Sequence, residues 1–125
     1  MDPPRLNLVV LRSPNLDRAE TFYQALGIMF SREKHGTGPE HLAAVLGDAA
    51  SGELVFEIYP QRDAMSTRDV RVGFAVASLE ALVAVATATG GTLVSPISES
   101  PWGLRAVVAD PDGHRVELSQ ITKAA

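Results

Sequence analysis

Apolar residues recur along this chain with two different periods, and the order in which those periods alternate is itself repeated. Leu6 to Leu11 is almost wholly apolar and rich in Val and Leu, which predicts a buried strand. Ser13, Pro14 and Asn15 interrupt it. Asn15 can cap a helix whose apolar positions Leu16, Ala19, Phe22, Tyr23 and Leu26 fall at helical spacing, and Gly27 supplies the stop. Ile28 to Glu33 reads as a second strand, and His35 to Pro39, with Gly36 and Gly38, as a turn or mobile loop. His41 to Leu46 and Leu54 to Tyr59 read as two strands joined by the Gly47 to Gly52 turn. The same order then returns. Val70 to Val76 predicts a strand, and Ser78 a cap. Leu79, Leu82, Val83 and Ala86 form the apolar stripe of a helix ended by Gly90-Gly91. Thr92 to Ile97, Leu104 to Ala109 and His114 to Ile121 supply three more strands. Pro101-Trp102-Gly103 and Asp110-Pro111-Asp112-Gly113 connect them, the second being a strong hairpin signal because Pro fixes φ and Asp-Gly supports positive φ.

The chain therefore divides into a first βαβββ module at 6–60, a linker at 61–69 and a second βαβββ module at 70–121, all within one domain at 1–125. A shift of 63 residues carries Leu8 onto Arg71, Leu16 onto Leu79 and Gly27 onto Gly90, and near the ends of the modules a shift of 60 carries Glu57 onto Glu117. A loop absorbs the difference. With 125 residues there is room for one compact domain or two small modules sharing a core, and the fold class expected is α+β.

Composition narrows the partners. A hydrophobic content of 46% fits a globular chain, and a net charge of −4 without basic blocks gives no electrostatic reason to expect nucleic acid or an anionic membrane. The absence of cysteine excludes disulfides, thiolate metal sites and a cysteine nucleophile. No apolar run approaches the roughly 18 residues of a membrane span, and the opening residues Met1 to Arg5 do not read as a signal peptide, so a cytoplasmic location is expected. There is no Gly-x-Ser-x-Gly elbow, phosphate-binding loop with Lys and Ser/Thr, or His-Glu-x-x-His helix.

Alternation along the strands sorts the candidate chemistry by face. Leu54, Phe56 and Ile58 share one face of their strand and Glu57 and Tyr59 the other, while Val116 and Leu118 oppose Arg115, Glu117 and Ser119. With the more apolar faces under the helices, Glu57, Glu117 and Arg71 lie on the opposite, concave side, and Gly73 and Ala75 leave room beside Arg71. On residues alone the carboxylates either line a cavity or face solvent on an open sheet. His41 alternates with Ala43 and Val45 and can face the same side. His35 sits in a Gly-rich loop, as a solvated or a lid residue, and His114, just after a tight turn, is expected to be exposed. Trp102, the one tryptophan, offers a stacking surface or a plug at the core edge. Tyr59 and Arg105 are secondary pocket candidates, and Phe22 and Tyr23 are core.

Three stretches together resemble one family: Leu11-Arg12-Ser13-Pro14-Asn15-Leu16-Asp17-Arg18, then Phe22-Tyr23 with Leu26-Gly27, and Asp110-Pro111-Asp112-Gly113-His114-Arg115-Val116-Glu117-Leu118. The chain is similar to the vicinal oxygen chelate superfamily, which includes glyoxalase I, bleomycin and fosfomycin resistance proteins and extradiol dioxygenases. The resemblance implies two tandem βαβββ modules whose sheets curl into a half-open, barrel-like surface around a cavity. The helices lie on the convex side, and a second copy in a homodimer commonly completes the cavity. In metal-dependent members the opening and last strands of each module carry the ligands, at positions corresponding here to Leu8, Glu57, Arg71 and Glu117. The two carboxylates match; Leu8 has no donor atom, and the Arg71 guanidinium repels a cation while forming bidentate hydrogen bonds to a carboxylate. The expectation is thus a small-molecule-binding protein without a catalytic metal. Arg71 would neutralise Glu57 or Glu117, and Trp102, Tyr59, Arg105 and His41 would line the pocket. The alternative is a glyoxalase-type lyase or isomerase, or a dioxygenase, holding a divalent metal on Glu57 and Glu117 with Glu117 moving a proton. A regulatory module whose cavity is filled by side chains is a third possibility.

Overall fold

The computed structural model describes residues 2–64, 66–101 and 103–121. Its elements run β1 (Leu8–Ser13), α1 (Leu16–Ala25), β2 (Ser31–Glu33), β3 (His41–Asp48), β4 (Gly52–Pro60), β5 (Arg71–Ala75), α2 (Leu79–Ala88), β6 (Thr92–Ser100), β7 (Gly103–Ala109) and β8 (Arg115–Ile121). The predicted β-α-β-β-β order occurs twice. Each set of four strands forms a mixed sheet, β1-β4-β3-β2 and β5-β8-β7-β6, with the first and last strands of each module parallel and the other pairs antiparallel. The two sheets do not close into a barrel. The second predicted strand is shorter than expected, Ser31–Glu33, because β2 pairs with β3 only from Ser31 onward. The strands β3, β4 and β6 run past their predicted ends.

Local chemistry accounts for the helices. Asn15 is extended, and its side-chain oxygen accepts from the Arg18 N–H at 3.0 Å, the predicted cap. Ser78 occupies the equivalent position, but its side chain makes no capping bond; the Leu79 N–H instead donates to Oε1 of Gln120 in β8 at 2.7 Å. A tertiary partner has taken over the capping role.

The two modules share one core. Leu11, Phe22, Tyr23, Leu42, Phe56 and Ile58 from the first are continuous with Leu79, Ala86, Val108, Val116 and Leu118 from the second. Tyr23 and Phe56 each meet Phe74 of β5 edge-on, and α1 packs on α2. The face of each sheet assigned to the helices by alternation is the buried one: Phe56, Ile58, Val116 and Leu118 are each at most 1% exposed. The opposite faces are open only in part, with Ala43 and Val107 buried on them. Leu8 and Val45 are 49% and 60% exposed there.

Candidate functional site

The open face of the first module is a graded surface. Register places Leu8 beside Val55 beside Val45 in an apolar row, then Val10 beside Glu57 beside Ala43, and Arg12 beside Tyr59 at the polar end. His41, the first residue of β3, stacks flat on Tyr59, with ring centroids 4.1 Å apart and 7° between planes, and the Arg12 guanidinium carbon lies 5.0 Å from the Tyr59 ring centre. Guanidinium and imidazole thus both lie against one electron-rich ring. His41 is buried, as β3 carries it inward, and its Nε2 lies 3.4 Å from Glu57 Oε2.

The second module repeats the arrangement with different chemistry. Register pairs Arg71 with Arg115, Gly73 with Glu117, and Ser119 with Arg105. Arg105 Nη2 donates to Glu117 Oε1 at 2.6 Å, and Arg71 Nη1 lies 3.6 Å from the same oxygen. The partner expected for Arg71 is therefore Glu117 rather than Glu57, and Arg105 is the nearer of the two. A shift of 64 residues carries His41 onto Arg105. In each module the third strand of the sheet order sends a nitrogen-bearing side chain, His41 or Arg105, toward the carboxylate of the last strand. Glu117 and Arg105 line a depression of about 290 Å³ with Ser119 and Gln120.

Glu57 and Glu117 are not brought together within one chain. They lie on separate sheets, each on the face turned away from the common core. Among the described residues, Arg71, Arg105 and Glu117 form one cluster and His41, Tyr59 and Glu57 the other; Trp102 lies outside the described residues. Arg12 and Glu33 carry no signal of their own in the sequence: alternation with Val10 puts Arg12 on this face, and the β2–β3 register sets Glu33 beside His41.

The sequence expectation fails at His114, which is buried rather than exposed. The turn before it explains why. Asp110 Oδ1 accepts the backbone N–H groups of Asp112 and His114, both at 2.9 Å, and Oδ2 accepts Tyr23 Oη–H at 2.6 Å and His114 Nδ1 at 2.8 Å. The imidazole is thereby drawn under the turn, and its Nε2 is hydrogen-bonded to Thr67 Oγ1 at 2.6 Å, which in turn accepts the Arg12 N–H at 2.9 Å. Burial alone would raise the Asp110 pKa, but the bonds from His114 and Tyr23 and the His114 charge outweigh it, and the carboxyl is held below its usual range. Burial, reinforced by Asp110, pushes Tyr23 well above the usual phenol value. Asp110, Asp112 and His114 are close enough to suggest a cation site. However, all four lone-pair directions of Asp110 and both ring nitrogens of His114 are already used, so the cluster is a structural lock.

The chain matches the family model described as Glyoxalase/Bleomycin resistance protein/Dioxygenase superfamily over residues 5–118. No curated protein matches it in sequence. Among solved structures, it is similar to the hypothetical protein SA1046 from S. aureus, with 18% identity, a TM-score of 0.74 and coverage of 96% of this chain and 95% of that one. A glyoxalase-related enzyme from Fulvimarina pelagi shares 20% identity at a TM-score of 0.72, covering 97% and 99%. TnmS3, an antibiotic binding protein from Streptomyces sp. CB03234, shares 18% identity at a TM-score of 0.73, covering 98% and 99%. At such identities the likeness is one of fold.

Proposed function

Because this chain belongs to the glyoxalase/bleomycin resistance protein/dioxygenase superfamily, we propose that it binds a small organic molecule having an apolar, planar part and an anionic group. The cavity would be built from the open faces of two copies. The observation that carries this is the guanidinium pair on Glu117, with Arg105 at 2.6 Å and Arg71 at 3.6 Å. Superfamily members that use a divalent metal need donors at the positions held here by Leu8, Glu57, Arg71 and Glu117, and these residues do not fit an ion. Leu8 has no lone pair, Arg71 is a cation beside the would-be ligand, and Glu117 is already engaged. Glu57 and Glu117 therefore do not make a divalent-ion site together.

The side chains define what the ligand would look like. Along β5, β8 and β7 the open face carries Arg71, Arg105 and Arg115 against the single carboxylate of Glu117, an excess of positive charge that suits a carboxylate or phenolate. The opposing wall would be the Leu8–Val55–Val45 row of the other module, whose exposed apolar surface suits an aromatic or aliphatic body. Within one chain the two walls lie on separate sheets, so a homodimer that sets the first module of one copy against the second module of the other completes the site. Being bound by TnmS3, an antibiotic supports the same class of use for this fold.

A panel of aromatic carboxylates and phenols, screened by thermal shift and calorimetry in the presence of EDTA and beside matched neutral amides, tests this. The acids stabilise the protein and the amides do not, and Arg105→Ala weakens the best acid by about tenfold or more, the loss expected for a charge-assisted hydrogen bond. Failure of every acid to bind, or binding only when a divalent metal replaces EDTA, overturns it.

A further inference from the structure

At the rim of the first module's open face lies a group that ligand binding does not use. Glu33 ends β2, His35 follows in the β2–β3 loop, and His41 begins β3; one ligand atom from each lies within 4.8 Å of the others. His35 Nε2 is 3.4 Å from Glu33 Oε1, and His41 Nε2 is 3.4 Å from Glu57 Oε2. Four ligands at about 2.1 Å around a tetrahedral ion stand about 3.4 Å apart. The His35–Glu33 separation already has that value, and so does that of His41 from the neighbouring Glu57.

The second observation concerns protons. His41 is 1% exposed, and its Nδ1 lies 3.2 Å from the Pro39 carbonyl oxygen, an acceptor only, so Nδ1 carries the hydrogen. Among the described residues Nε2 makes no hydrogen bond, and Glu57 Oε2 lies 3.4 Å from it. A buried nitrogen without a partner is costly in free energy. An imidazole whose other nitrogen donates to a backbone carbonyl, and whose ring is held by stacking on Tyr59, is oriented as metal-ligating histidines are. His35, 72% exposed, is free to swing the remaining distance.

We propose that Glu33, His35 and His41 bind one divalent transition metal ion, with the Glu57 carboxylate beside the same His41 nitrogen. Two imidazoles with carboxylates select a borderline ion such as Zn2+ over Mg2+ or Ca2+. The site lies within the first module; it shares only the flanking Glu57 with the inter-module position and involves neither Leu8 nor Arg71 nor Glu117. A bound ion would tie the loop carrying His35 to the edge of the ligand cavity, linking loop position to metal supply. It goes beyond the ligand-binding function and does not depend on it.

The test is Zn2+ uptake by the full chain after stripping with EDTA and removal of the chelator, with no organic ligand present. Calorimetry and elemental analysis should give one Zn2+ per chain, and His35→Ala and Glu33→Gln should each weaken uptake by at least about tenfold. Co2+ in place of Zn2+ should show the intense visible absorption of a tetrahedral site. Both substituted side chains lie at the surface or half-buried, and unchanged far-UV circular dichroism confirms that the variants remain folded. No stoichiometric uptake by the wild-type chain, or uptake unchanged in both variants, overturns the site. Ligand binding is measured in EDTA, so failure of either proposal is visible without the other.

Discussion

Asp110→Ala should cost about 3–5 kcal/mol, because it strips two buried donors of their acceptor, at about 1–3 kcal/mol each, and opens the turn. The reason lies in how many partners one side chain serves. Asp110 accepts from Tyr23, from both the ring and the backbone of His114, and from the Asp112 backbone. Alanine leaves a buried phenol and a buried imidazole N–H without an acceptor, and each orphan carries its own desolvation cost. It also loosens Thr67, and through it the residues between β4 and β5, from the turn that precedes β8. Thermal unfolding followed by circular dichroism should show a fall in Tm on the order of 10 °C or more.

The same network sets a pH dependence. Since the folded-state pKa of Asp110 is depressed, the unfolded chain binds more protons between the two values, and stability rises with pH there. The contribution is complete above the ordinary carboxylate pKa and is lost as pH falls through the lowered folded value. Tyr23 has the opposite sign: its raised pKa gives stability that is complete below the ordinary phenol value and is lost as pH rises through the folded one. Melts of the wild type and Asp110→Asn in the acid range should show a shallower acid limb for the variant. Equal slopes would contradict the assignment.

Gly91→Ala should be the other large effect, about 1–3 kcal/mol or more from overpacking. A Cβ at Gly91 would sit 2.6 Å from Phe22 Cε1, 2.7 Å from the Ala86 carbonyl oxygen and 3.0 Å from that of Ala109. Two of these are backbone atoms and cannot step aside. The third belongs to a fully buried ring in the shared core. Gly91 also donates its N–H to Ala86 at 2.9 Å, so the chain cannot simply swing outward. This is where α1 of the first module meets the second, and the substitution tests whether the modules fold as one unit. A single cooperative transition at lower temperature is expected in chemical denaturation, and two transitions would contradict the common core.

These sites also mark what could be read from residues alone. The order of elements was legible because α1 and the strands carry clear periods and because Asn15 and the Asp110 turn use side chains for local bonds. Faces were legible for the same reason: a period of two places Glu57 and Phe56 on opposite sides wherever the strand is regular. Burial of His114 runs against its position after a turn, because the turn aspartate four residues before it accepts from the imidazole, and the partners that bury the pair, Tyr23 and Thr67, come from distant parts of the chain and leave no sequence period. Arg105 was named only as a secondary lining residue, yet it is the nearest partner of Glu117, since a contact across β7 and β8 depends on register. The separation of Glu57 from Glu117 was beyond the repeat, which gives equivalent positions in two modules without giving the arrangement of the modules. Shared burial of the two helix faces decides that.

A crystal structure with the best-binding acid from the EDTA screen tests the central claim most directly. The ligand should lie between two copies, its anionic group on Arg71 and Arg105 of one and its apolar part against Leu8, Val45 and Val55 of the other, with no ion between the Glu57 and Glu117 carboxylates. A ligand held elsewhere, or an ion coordinated jointly by Glu57 and Glu117, would contradict it.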